Sequence, residues 1–316
     1  QSMDINIFTY ADRVAVGDLI GPRIFTTGPG IFNNSPVNNL EDAKRIVQKY
    51  SDYYKVNTVK QYLSGNRRHR QLLIMAIQDA QLIPTTEGMD MKLMVTQIMD
   101  GYSLEHTLPH YPLYNDMIEL IVQSGTYYDP TVIVGTGPRA EYFYWTRTDV
   151  HGNKKLNHFF PHDILDRQTR RVPWFHEGEF SYKEYAKTFK NIVNAGGKIG
   201  VGSHGEMQGI CYHWELWNIQ SGGMSEMDAL RCATIIGSEA IGFSNDLGSI
   251  KEGKLADLIL LTKNPLEDIR NTTAIKYVMK NGILYDANSL DEVWPTIKKL
   301  PPQYWHGKTP KNHDNY

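Results

Sequence analysis

The sequence predicts an α/β protein built on a parallel sheet. Strand-like and helix-like stretches alternate from about residue 20 to about residue 205, and such alternation sets neighbouring strands parallel with helices outside them. The 316 residues are 41% apolar and 22% charged, an ordinary globular balance with material for a large core. A barrel and an open doubly wound sheet both satisfy the pattern. No Gly-x-Gly-x-x-Gly run follows a predicted strand, which argues against a dinucleotide fold.

The elements are read in order. Arg23 to Thr27 is a predicted strand ending at Gly28-Pro29-Gly30. Asn39 suits an N-cap, with Ala43, Ile46, Val47 and Tyr50 on one helical face. Val56 to Leu63 reads as the next strand, followed by a helix striped with Leu73, Ala76, Ile77 and Ala80. Leu82 to Glu87 and residues 101–106 are further strands, separated from Thr131 to Val134 by a helix carrying Tyr114, Met117, Leu120 and Ile121. A helix with Tyr185, Phe189, Ile192 and Val193 leads to a strand over Ile199 to Ser203. Residues 136–181 break the rhythm. They hold Tyr142, Phe143, Tyr144, Trp145, Trp174 and four histidines, and are read as an ordered loop over a site. Ser225 with Asp228 opens an amphipathic helix. Leu258 to Leu261, the alternating Ile275, Tyr277 and Met279, and Ile283 to Tyr285 form a small antiparallel piece, its hairpin marked by Asn281-Gly282. The polar end from Pro301 to Tyr316 is read as an extended tail.

Charge and composition exclude several functions. Thirty-three basic and 35 acidic residues leave a formal charge of −2, unsuited to a nucleic-acid binder that neutralises phosphates. No apolar run approaches the ~18 residues of a membrane span. Cys211 and Cys232 are the only cysteines, which excludes a disulfide scaffold. Neither has a base beside it in sequence to activate a thiol. Arg67, Arg68 and Arg70 form a basic cluster, read as a solvated face or an anion contact. Gln1-Ser2-Met3 fits either a tag remnant or a native start.

In parallel α/β sheets, functional groups collect at the carboxyl ends of strands. Lys60, Glu87, His106 and His204 stand at or near such ends. Together they form a candidate divalent-metal site, since histidine with carboxylate is a common catalytic-zinc ligand set and a carbamylated lysine can bridge two metals. Taken singly, each histidine is equally a hydrogen-bonded structural residue. His213 and Glu215 are candidate substrate contacts or else belong to an aromatic helix start packed on the sheet. Trp145, with Trp174 and Trp214, is a candidate groove lining. Gly202-Ser203-His204-Gly205 contains no Gly-x-Ser-x-Gly elbow.

The stretch from Gly248 to Leu258 (Gly-Ser-Ile-Lys-Glu-Gly-Lys-Leu-Ala-Asp-Leu), followed by Asn264-Pro265-Leu266, resembles the C-terminal signature of the amidohydrolase superfamily. Ala229 to Thr234 and Ala240-Ile241-Gly242 resemble that family's last barrel helix. The remaining matches resemble an imidazolonepropionase-like and prolidase-like branch, often fused to a TolB-like propeller. They are Gly21 to Phe25, Val59 to Tyr62, Asp100 to Tyr102 with Glu105-His106, Pro130-Thr131, and Gly202 to Gly205 with His213-Trp214-Glu215.

The resemblance implies a (β/α)₈ TIM-type barrel, with strands three to eight present, and part of a small β-sandwich. Residues 1–245 would be the incomplete barrel, 246–290 the sandwich portion and 291–316 a tail. It implies a divalent metal, zinc foremost, held by Lys60, Glu87, His106 and His204. It also implies hydrolysis of a carbon–nitrogen bond in a small amide, lactam or dipeptide, with His204 receiving the proton of the attacking water. Lys60 and His106 match the family's positions. Glu87 stands where histidine is usual, and His204 where aspartate is usual. No His-x-His occurs anywhere in the chain, so strands one and two are expected to be missing. The open edges would then be met by a second copy or by the missing part. A catalytically silent binding or scaffolding module is the alternative. The family's fusions point to a periplasmic or extracellular setting.

Overall fold

The structure, a computed structural model, describes residues 5–62, 66–88, 90–108, 110–135 and 137–307. Strands β1 (Thr58–Gln61), β2 (Ile83–Glu87), β3 (Ser103–Glu105), β4 (Tyr127–Asp129) and β5 (Lys198–Ile199) form a parallel sheet in chain order. Strands β6 (Leu258–Leu261), β7 (Ile275–Lys280), β8 (Ile283–Asp286) and β9 (Glu292–Trp294) form a second, antiparallel sheet.

Local sequence sets the helices that cover the first sheet. The Asn39 side chain accepts from the Asp42 N–H and starts Leu40–Lys49, which buries Ala43 and Val47. Asn66 and Asp90 cap Arg67–Asp79 and Met91–Asp100 in the same way. Against β1, Leu73, Ala76 and Ile77 join Val47 and Val59 in one apolar cluster. Against β3, β4 and β5, Ile98, Ile121, Phe189, Ile192 and Ile219 surround Leu104, Tyr128 and Ile199 in another.

Register divides the parallel sheet into two unlike faces. Gln61, Thr86, Leu104, Tyr128 and Ile199 lie side by side in one row. All five are buried on the face that meets the helices. One residue away the chain points to the opposite face. There Glu87, Glu105 and Asp129 are in register, one per strand, beside a row of Lys60, Thr85 and Ser103. Parallel strands buried on both faces read as continuous apolar runs; these alternate, so their second face belongs to a polar site.

The expected α/β class and parallel sheet are found, with five strands in place of six. Arg23 to Thr27 is irregular, with Arg23 held by Asp257 at 2.9 Å. Among the described residues, the strand edge at β1 is met by an isolated bridge from Ile31 to Gln61. Thr131 to Val134 is a turn of 3-10 helix, because Thr131 has φ +43° and the N–H groups of Val132 and Ile133 bind Glu215. The strand there is β4, four residues earlier. The strand expected over Ile199 to Ser203 is only Lys198–Ile199. The β1 pairing stops at Gln61, and Leu63 lies outside the described residues. The five strands do not close into a barrel among the described residues; β1 and β5 end the sheet.

The segment expected as a loop over 136–181 contains short helices at Ala140–Trp145, Lys154–Phe159 and His162–Thr169. Its apolar residues Tyr144, Trp145, Leu156 and Leu165 pack with Met207, Cys211 and Trp214 in a core of their own. In the second sheet, Asn281 and Gly282 take φ of +51° and +81° between β7 and β8, as the hairpin signal requires. The tail boundary moves, since β9 falls after residue 290 and pairs with β8. Further on, Trp305 Nε1 donates to the His158 carbonyl at 3.1 Å; residues 308–316 lie outside the described residues. Arg70, expected on a solvated face, is buried and bound to Asp100 at 3.4 Å and Thr96 at 2.8 Å.

The buried Tyr128 hydroxyl accepts the Leu108 N–H at 2.9 Å. Tyr128→Phe leaves that amide without a partner in the core, and we expect a loss of about 1–3 kcal/mol. Urea denaturation with an unchanged m-value is the measurement.

Candidate metal and catalytic site

The polar face of the sheet carries a charged cluster at the carboxyl ends of β1 to β4. The Lys60 ammonium lies 2.9 Å from Glu87 Oε2 and contacts Glu105 Oε2. His106 Nε2 is 2.8 Å from the same Glu87 oxygen, and its Nδ1 is 2.8 Å from Thr131 Oγ1. Thr85 donates its hydroxyl to Glu105 Oε1 at 2.9 Å. Lys60 and Glu87 are buried, whereas Glu105 and His106 are partly open.

Electrostatics follow from this packing. Burial alone would lower the Lys60 pKa, but Glu105 and Glu87 outweigh it and raise it above the ordinary value. For Glu87, burial pushes upward, and the bonds from His106 and Lys60 bring the carboxyl down to about 2. Asp129 behaves oppositely. Burial, then the neighbouring Glu105, lift it to about 7, and its Oδ1 has no hydrogen-bond partner among the described residues. Gly202 packs on that carboxylate so tightly that a Cβ there would fall 2.1 Å from Oδ2.

The loops that present these groups hold residues in the left-handed region: His106 at φ +74°, Thr131 at +43° and His204 at +58°. Such strain collects at functional sites. Glu215 anchors one of these loops from below. Fully buried, it accepts the N–H groups of Val132 and Ile133 at 2.7 Å each, and so fixes the turn whose Thr131 hydroxyl holds His106.

Of the residues expected from sequence, Lys60, Glu87 and His106 meet in one cluster. His204 stands at its mouth, half-exposed, with its ring 5.4 Å from that of His106 and its Nδ1 3.1 Å from Glu206. Glu206 also binds Arg139 at 3.1 Å, and Arg139 binds Glu141 at 2.9 Å, so residues 139–141 of the long segment do reach the rim. The expected substrate contacts are placed elsewhere. Glu215 is the buried anchor just described. His213 Nδ1 lies 3.1 Å from Thr272 Oγ1, and burial lowers its pKa to about 4. Trp145 lies edge-on to Trp214 in the core, so neither indole offers a face to a groove; Trp174 is exposed.

Sequence reading missed Glu105 and Asp129. A signal was there, since each is the last residue of a strand, as Glu87 is; the adjacent histidine drew attention one residue too far. Glu87, Glu105 and His106 each offer a ligand atom within 4.8 Å of the other two. Two carboxylates and an imidazole are donors suited to a divalent cation, so the cluster fits the metal implied by the resemblance; Lys60 contacts both carboxylates. A cavity of about 860 Å³ lies apart from the cluster, between residues 233–250 and the second sheet, and its lining is mostly apolar.

Glu87→Gln removes the charge that Lys60 shares between Glu87 and Glu105 and that His106 Nε2 faces, and is expected to cost roughly 2–3 kcal/mol at pH 7. The folded pKa lies below the ordinary 4.5, so the stabilisation is present above that pH and is lost as pH falls towards about 2. The acid arm of the stability curve should flatten in Glu87→Gln. Asp129 has the opposite sign. Its folded pKa is raised from 3.8 to about 7, so stability declines as pH rises through that window, and Asp129→Asn should remove the decline. Urea midpoints measured between about pH 2 and pH 8 test both.

The amidohydrolase family matches residues 95–284, well over half of the chain. Ochratoxinase of Aspergillus niger is 30% identical over 105 residues, which cover 32% of this chain and 22% of that protein; the match thus spans less than a quarter of the curated relative. Among solved structures, a Xaa-Pro dipeptidase with methionine bound in its active site superposes with a TM-score of 0.65 at 24% identity, covering 90% of this chain and 73% of that one. Molinate hydrolase gives 0.64 at 17%, covering 90% and 71%. The A. niger ochratoxinase structure gives 0.64 at 18%, covering 89% and 70%. These structural likenesses show a shared fold. With the family match over more than half of its length, the chain belongs to the amidohydrolase family.

Proposed function

We propose that this chain carries the site of a metal-dependent hydrolase acting on the carbon–nitrogen bond of a small amide, lactam or dipeptide. The observation that carries the reading is the meeting of Glu87, Glu105 and His106 at the strand ends of an amidohydrolase-family sheet. In this reading the sheet is part of a (β/α)₈ barrel, completed by further strands of the same protein or by a second copy. The names of its neighbours, a Xaa-Pro dipeptidase and an ochratoxinase, guide the choice of test substrates.

Glu87, Glu105 and His106 would hold a divalent ion, with zinc the first choice. When bound, such an ion supplies Lewis acidity and makes water nucleophilic near neutral pH. The carboxylates hold the positive charge at the strand ends. Thr131 orients the His106 ring through Nδ1, and Glu215 holds Thr131's turn in place. His204, open at the mouth beside His106, is the group that takes the water proton and delivers it to the leaving nitrogen.

A second reading has its own observation. Lys60 already neutralises the carboxylates, and no His-x-His is present. This favours a catalytically silent binding or scaffolding module. No helix among the described residues is long and apolar enough to cross a membrane.

The test is metal analysis with turnover. Protein dialysed against chelator and reloaded with zinc or manganese is expected to hold metal stoichiometrically and to hydrolyse members of a panel of Xaa-Pro dipeptides, N-acyl amino acids and lactams. Glu105→Ala should lose the metal. His204→Asn should keep it while kcat falls about 10²-fold or more. Protein that takes up no metal and turns over nothing in the panel fits the second reading and ends the first.

A further inference from the structure

Beyond β9 the chain returns to the aromatic segment and closes on it. Asp291 fixes the start of this strap, binding Lys299 at 2.7 Å and accepting the Leu300 N–H at 2.9 Å. The far end of the strap meets the last turn of the helix Lys154–Phe159. A helix leaves its last carbonyls without partners of its own. Here the His158 carbonyl is served twice, by Trp305 Nε1 at 3.1 Å and by His306 Nε2 at 2.9 Å.

These contacts decide where His306 carries its proton. A carbonyl only accepts, so the hydrogen sits on Nε2. The Gln303 N–H only donates, at 3.2 Å, so Nδ1 is the acceptor. A second proton on Nδ1 would oppose that N–H and open the turn in which the His306 N–H also bonds back to the Gln303 carbonyl at 3.0 Å. It would also place a positive charge against the His158 ring, whose centre is 4.6 Å from that of His306. His158 is no better placed to take the proton. Its Nε2 is buried without a hydrogen-bond partner among the described residues, and an N–H added there would go unsatisfied. Among the described residues, the imidazoles paired with carboxylates are His106 and His204, so no anion offsets a charge in the strap. Of the other titratable groups on this segment, Lys155 acts on His213 and Asp286, and His151 and His162 face each other with ring centres 5.1 Å apart.

We propose that residues 301–307 form a pH-released strap, which grips the helix Lys154–Phe159 while His158 and His306 are neutral and lets go when either takes a proton. Imidazoles make that change between about pH 8 and pH 5, so the grip is complete above this range and lost below it. The helix belongs to the segment whose Arg139 and Glu141 stand at the rim of the strand-end cluster. Release removes a tie between that segment and the second sheet. Neither imidazole is a member of the candidate metal group, so the strap is independent of the hydrolase reading.

The experiment is hydrogen exchange read by mass spectrometry on the whole protein at about pH 8 and about pH 5, corrected for the intrinsic pH dependence of exchange. Wild-type protection in the peptide 154–160 is expected to fall about fivefold or more at the lower pH. The helix Tyr182–Asn194 should keep its protection and so controls for global unfolding. Trp305→Ala should show the low protection at both pH values. The double variant His158→Phe with His306→Gln keeps a ring and an N–H donor but takes no proton, and its protection should change by less than about twofold. Equal wild-type protection at the two pH values overturns the proposal. So does a fall shared equally by Tyr182–Asn194, wild-type protection at the higher pH no greater than that of Trp305→Ala, or a double variant that retains the whole wild-type fall.

Discussion

The in-register row of Glu87, Glu105 and Asp129 is the constraint on which the rest of this structure turns. Adjacent parallel strands lie about 4.8 Å apart, so three acidic side chains on neighbouring strands face one another whether or not they are charged. A protein that places them there must supply counter-charge, protons or hydrogen bonds. Lys60 supplies the charge for two of them, Thr85 and His106 add hydrogen bonds, and burial leaves Asp129 drawn towards its neutral form. The opposite face of the same strands is given over to packing, with Leu104, Tyr128 and Ile199 against the helices. Period-two alternation thus assigns stability to one face and chemistry to the other.

The loops beyond the strands complete the arrangement. His106 and Thr131 both adopt the left-handed conformation, which a non-glycine residue accepts only under constraint. The constraint comes from Glu215, whose buried carboxylate takes both N–H groups of the following turn. A group that looks like a site residue in sequence therefore acts at one remove, by holding the segment that holds the histidine. The aromatic segment between residues 137 and 181 serves in a similar double way. Tyr144 and Trp145 are consumed in packing against Trp214, while Arg139 and Glu141 from the same stretch join Glu206 and His204 at the rim.

The two sheets differ in how they end. On the first, β1 and β5 are the edges, and among the described residues the Ile31 bridge alone meets β1. On the second, β6 is an edge of four aliphatic residues, Leu258 to Leu261, with Ile259 and Leu260 exposed. It has none of the charges or prolines that usually guard such an edge. The chain spans 73% and 70% of the lengths of the Xaa-Pro dipeptidase and ochratoxinase structures.

The sequence by itself determined what depends on neighbours along the chain. The Asn39 and Ser225 caps, the apolar stripes of the covering helices and the Asn281-Gly282 hairpin are settled within a few residues, and so could be read directly. Lys60, Glu87 and His106 were legible as strand-end residues for the same reason. Tertiary structure decided what depends on register between strands. Glu105 and Asp129 become a row with Glu87 only once three strands align, and no local pattern states that alignment. It also decided that Thr131 to Val134 turns away from the sheet, because the competing partner, Glu215, lies more than 80 residues distant. The same holds for His213 and Trp145. Their residue types suit a binding surface, but burial is a property of the assembled fold, and packing put Trp145 in the core and left His213 half-buried against Thr272.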